Sequence, residues 1–175
     1  MLLWIGAAYA DREARPTQYI EVAADRQHVF IMVPEAYEGE GTTAAPARGT
    51  AFRLESDGSL LELWSLNGWY GTSHLARGGR HLVREGPWAS EPPEQELAVA
   101  FYTDGVEITR YTVSDLLKNV GSVQLSMSHY RWEGRHQGYP RLTSNKRYQL
   151  TTIEGFVITF DIETGEIVGE SRIGN

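Results

Sequence analysis

Short apolar runs alternate with polar turns along this chain, and the same order of turns comes round three times. In residues 24–31, 76–83 and 144–150 a turn-forming pair leads to a long polar side chain and then to a ring-bearing residue, His28, His81 or Tyr148, that opens an apolar stretch. A second hairpin signal follows each: Asp57-Gly58, Asp104-Gly105 and Thr164-Gly165, set between the apolar-rich runs 51–64, 98–111 and 156–168. Glycine there accepts the positive φ that a tight hairpin turn demands. Residues 18–23, 70–75 and 123–132 supply a strand ahead of each first turn. Each unit therefore predicts a four-strand antiparallel meander, the units covering about residues 18–66, 69–113 and 123–171.

The connectors differ between units. Residues 35–49 form a long loop in the first and residues 86–96, with three prolines, occupy the same place in the second. The third instead has an insertion at 133–143, between its first two strands. Only residues 114–119 read as helical, with Ser114 as the cap and Lys118 and Asn119 at the end. That turn and a half carries the chain from the second unit to the third.

The fold class predicted is thus all-β, a single domain over residues 11–175. The closing stretch 160–168, with Asp161, Thr164 and Gly165, is similar to the turn joining the two outer strands in blades of quinoprotein-type and related β-propellers. This resemblance implies a partial, propeller-like arrangement of three blades, although propellers ordinarily need four to close. An antiparallel β-sandwich or barrel uses the same patterning and is the alternative. The ligand residues of quinone-binding propellers have no match here, so no cofactor is expected.

Composition narrows the function classes. A hydrophobic share of 41% and a charged share of 22% are those of a folded, soluble chain. The net charge of −7 gives no overall attraction for nucleic acid or for anionic lipid. Cysteine is absent, which excludes disulfides, thiol nucleophiles and thiolate metal sites. Residues 2–8 are apolar, and Ala8 and Ala10 fit the small-x-small cleavage pattern of a secretory signal peptide. Residues 1–10 then read as a signal-peptide remnant and the protein as periplasmic or secreted. No Lys or Arg precedes Arg12, so a first strand packed on a cytoplasmic domain is the alternative. The run is too short to span a membrane.

The densest polar and aromatic cluster is 126–139. In a strand, Ser128, Tyr130 and Trp132 share one face, and His129 and Arg131 the other. Trp and Tyr beside Arg suit stacking on a ring or gripping a carboxylate. The bland reading packs Tyr130 and Trp132 between sheets and pairs Arg131 with an acid. Trp69 and Tyr70, at a unit boundary, and Trp88, in the proline-bounded loop, complete the set of ligand-contact candidates. No nucleophile elbow or phosphate-cradling glycine motif occurs, so no catalytic residue is assigned. No metal site is assigned either, because His129, Glu133 and His136 sit across a glycine-containing loop. The favoured function is a non-catalytic binding or interaction domain of the cell envelope, with a small ligand or a protein as partner. One alternative is a hydrolase or lyase using His129, Arg131, Glu133 and His136. Another is a structural module that pairs with a further copy or another chain through exposed strand edges.

Overall fold

The computed structural model describes residues 16–37, 43–68, 71–87, 89–134, 140–143 and 146–174. Expectations for residues 1–10, Trp69, Tyr70, Trp88 and His136 lie outside these. Strands β1 (Tyr19–Val22), β2 (His28–Val33), β5 (Arg48–Leu54) and β6 (Leu60–Asn67) make the first sheet, and β3 (Ala36–Tyr37) and β4 (Thr43–Ala45) form a ribbon on the loop between β2 and β5. The second sheet holds β7 (Ser73–Leu75), β8 (His81–Glu85), β9 (Leu97–Thr103) and β10 (Val106–Thr112). After α1 (Val113–Leu116) and one 3-10 turn come the hairpin strands β11 (Gln124–Leu125) and β12 (Tyr130–Arg131). The last sheet is β13 (Arg141–Leu142), β14 (Arg147–Thr151), β15 (Phe156–Asp161) and β16 (Ile167–Arg172). All the strand pairs are antiparallel, and each four-stranded sheet is an up-and-down meander. The fold is all-β.

Two expectations need correction. Residues 123–132 are not the first strand of the last sheet; they fold back on themselves as β11–β12, closed by Ser126 N donating to His129 O at 2.7 Å. Leu125 and Met127 are over 80% exposed there while Tyr130 and Trp132 are buried, so the stretch buries one end and not a face along its length. The first strand of that sheet is β13, inside the expected insertion. The helix is capped by Thr112, not Ser114. Thr112 accepts from Asp115 N at 3.3 Å and Asp115 accepts from Thr112 N at 2.7 Å, a reciprocal box that needs the acid three residues after the cap.

The sheets pack face to face in chain order. Phe30, Met32, Ala51, Trp64 and Leu66 of the first sheet share one core with Leu75, Leu82, Ala100 and Tyr102 of the second. Val83, Val99 and Phe101, on the other face of the second sheet, share another with Tyr148, Leu150, Ile158 and Phe160 of the third. Strand β9 shows why: Ala100 and Tyr102 point one way, Val99 and Phe101 the other, and all four are buried. Phe101 makes edge and tilted contacts with Tyr111, Tyr148 and Phe160. Close approach is needed at Gly49, where a Cβ would lie 2.3 Å from the Phe30 ring. Polar ties cross the first seam: Gly78 N donates to Asp25 Oδ2 at 2.8 Å, and Trp64 Nε1 donates to Gly79 O at 2.7 Å.

The two end faces differ in chemistry. The far face of the third sheet carries Arg147 paired with Asp161, and Gln149 donating to Thr159 Oγ1 at 3.0 Å. The far face of the first sheet carries Ile20, Val22, Val29, Ile31, Val33 and Phe52, a register fixed by the facing pairs Ile20–Ile31, Val22–Val29 and Val29–Phe52.

Candidate functional site

Where the chain leaves β12 for the last sheet, it is pinned on both sides. Tyr130 N donates to Ala89 O at 2.9 Å, beside the second sheet, while Ile153 N donates to Trp132 O at 2.7 Å and Gly134 N to Thr151 O at 2.9 Å on the third. This crossing leaves a cleft of about 460 Å³ whose wall includes Thr72, Glu85, Pro87, His129, Tyr130, Arg131, Trp132 and Glu133. The expected alternation along 129–132 holds in the burial: Tyr130 and Trp132 are 7% and 5% exposed and belong to the core, while His129 and Arg131 are half-buried. A ligand here meets His129, Arg131 and Glu133 more than open ring faces. Arg131 Nη2 donates to the Gln124 side-chain carbonyl across the β11–β12 pair. Its partner is therefore an amide and not the acid of the bland reading.

Glu133 is the most perturbed carboxyl on the cleft. Burial, with the Glu85 carboxylate adding, pushes it up to about 7. Glu85 itself is held in place: its Oε1 accepts from Tyr148 OH at 2.8 Å and from His74 Nε2 at 2.7 Å. On the far side of His74, Glu21 lies 4.0 Å from Nδ1. Burial opposes the charge on His74, but Glu85 and Glu21 outweigh it and hold the imidazolium above its ordinary value. Burial also raises Glu21, against the pull of His74. Tyr148 is driven well above its ordinary value by burial and by Glu85. Glu21, His74, Glu85 and Tyr148 thus form a file of polar groups between the sheets. Glu21 and His74 at one end line a second cleft of about 330 Å³, and Glu85 opens on the first.

Sequence reasoning singled out 129–132 and Glu133 but not this file. One signal was there: Glu21 and His74 each precede the last apolar residue of a unit's first strand, so the repeat places a polar group twice at the same register position. Glu85 ends a strand that is otherwise apolar at 82–83. Among the described residues no group of three or more His, Cys, Asp or Glu is arranged to hold a metal ion. No helix of the described residues is long and apolar enough to cross a membrane. Comparison of the sequence with protein-family models gives no match, and comparison with curated proteins gives none.

Proposed function

We propose that this is an exported, non-catalytic binding domain of the cell envelope that holds a small polar ligand in the cleft at residues 129–134. In this reading the three sheets are successive blades of a partial, propeller-like stack. Their shared strand order and face-to-face packing in chain order support it. The observation that carries the site is Glu133, a carboxyl raised to about 7 on a cleft that also presents Arg131 and His129. A carboxyl near neutrality both donates and accepts hydrogen bonds, and a guanidinium on the same cleft suits a ligand with hydroxyl and carbonyl or carboxylate groups. Export rests on the apolar run at 2–8 and the alanines at 8 and 10.

The test is a panel of sugars, amino acids and small carboxylates, read by thermal shift and by amide NMR. One class is expected to bind, and Arg131→Ala and Glu133→Gln to weaken it at least tenfold. A silent panel, or binding indifferent to both changes, overturns the reading.

The raised Glu133 also supports a second reading, a hydrolase or lyase with Glu133 as general acid, because a titration near 7 suits that role. Glu85, engaged by Tyr148 and His74, is poorly placed to act as its free counterpart, which ranks this reading second. Turnover of sugar, phosphate or ester substrates that is abolished in Glu133→Gln would reverse the ranking.

A further inference from the structure

Strand pairing sets the three sheets in one register. Val22, Leu75 and Leu142 pair with Val29, Leu82 and Tyr148 in turn, and these face Phe52, Tyr102 and Phe160. In the second and third sheets these are the positions packed against the preceding sheet. In the first sheet the same positions are as apolar, yet no sheet packs against them: Val22 is 53% exposed, Val29 and Phe52 are half-buried, and Ile20 and Val33 on the same face are 62% and 46% exposed. The other end of the stack is finished differently. Where the first two sheets place Phe30 against Ala51 and Val83 against Phe101, the third places Gln149 against Thr159, flanked by the Arg147–Asp161 pair. One end carries a polar cap, and the other carries an uncapped copy of an internal packing face.

We propose that the outward face of the first sheet pairs with the same face of a second copy about a twofold axis. The result is six sheets in one stack with a polar cap at each end. Head-to-tail joining would set the apolar face on Arg147, Gln149 and Asp161, stripping water from an ion pair with nothing to replace it, and it would not close. The twofold arrangement matches apolar with apolar and does close. Arg48 and Glu62, paired at 2.8 Å along the β5–β6 side of this face, give it the polar rim of an interface. Four strands about 4.8 Å apart and five residues at about 3.3 Å each cover roughly 300 Å² per copy. The pair then hides about 600 Å², short of the ~1,200 Å² of standard-size stable complexes, which makes this a weak, concentration-dependent dimer. This pairing is through a sheet face and not through strand edges, and it is independent of the cleft.

Light scattering or sedimentation equilibrium on the whole chain, from about 10 to about 500 µM, tests it. The expected result is a mass that climbs toward twice the monomer and stops there. Ile20→Lys with Val22→Lys, both at exposed positions, should weaken association at least tenfold with an unchanged circular dichroism spectrum. Because the chain has no cysteine, Val33→Cys should cross-link to a dimer with a short bis-maleimide, while Thr159→Cys at the capped end should not. A monomer at every concentration, growth beyond a dimer, association indifferent to the lysines, or cross-linking through Thr159→Cys overturns the proposal.

Discussion

Replacing Glu133 by Gln should make the protein more stable at alkaline pH and leave it unchanged in acid. In the folded chain the carboxyl titrates near 7, against an ordinary value of 4.5. At about 1.4 kcal/mol for each tenfold change in proton affinity, this amounts to about 3 kcal/mol. Because the folded value is the higher one, the sign is fixed. Below 4.5 the group is neutral in both states and costs nothing; as pH rises from 4.5 through 7 the folded state loses about 3 kcal/mol, and above 7 the loss is complete. A glutamine never ionises, and its amide is a neutral polar group to bury just as the protonated carboxyl is, so the net gain at pH 8 should be about 3 kcal/mol. Urea unfolding followed by tryptophan fluorescence, on both proteins at pH 5 and pH 8, measures it. His74, raised by Glu85 and Glu21, loses its own stabilising contribution over a neighbouring range as pH climbs. It is present in both proteins, so the difference between them isolates Glu133. A variant less stable than the parent at pH 8, or a difference that does not change with pH, would refute the reasoning and mean that the Glu133 carboxylate is compensated inside the fold.

Two further outcomes follow from the packing. Gly86→Ala should cost at least about 3 kcal/mol by urea unfolding, because a Cβ there would sit 1.7 Å from the Leu97 carbonyl oxygen, and backbone cannot step aside as a side chain can. Asp25→Ala should destabilise by about 1–2 kcal/mol at pH 7 and by much less below pH 3. Burial opposes the Asp25 charge, but hydrogen bonds from Gly78 N, Gln27 N and His28 hold its carboxyl below the ordinary value. The stability it adds is therefore full above pH 3.8 and lost as pH falls through the folded value, so an equal deficit at pH 2.5 and pH 7 would sink this assignment.

What a reader of the sequence can see here is what is local. The glycines at 58, 105 and 165 adopt φ of 86°, 80° and 75°, and each sits in the turn between the last two strands of a sheet, because an Asp-Gly or Thr-Gly pair carries its own turn chemistry. Residues 129–132 stand out as a polar and aromatic cluster for the same reason. The file behind the cleft does not, since Glu85 meets Tyr148 across 63 residues and the seam that joins them is set by which sheets pack together. A finer error lies in the third unit. Its sequence matches Tyr148 to His28 and His81, as rings that open a strand, but the pairings match Arg147, because the turn from β13 to β14 is one residue shorter than its counterparts. A slip of one residue exchanges the faces of a strand. Read by the ring, Tyr148 would lie on the polar cap; read by the pairing, it enters the core.

The second sheet is covered on both faces, and this governs how the chain matures during synthesis. When residues 73–112 have left the ribosome, their partners on one side already exist, but Val83, Val99 and Phe101 have no cover until β14 and β15 are made about fifty residues later. For that interval the nascent protein presents an aromatic and aliphatic surface that its finished form hides completely. A chain cut short between α1 and β14 is accordingly not a smaller version of this domain but a sticky one, and release from the ribosome before residue 160 leads toward aggregation and away from a stable two-sheet fragment.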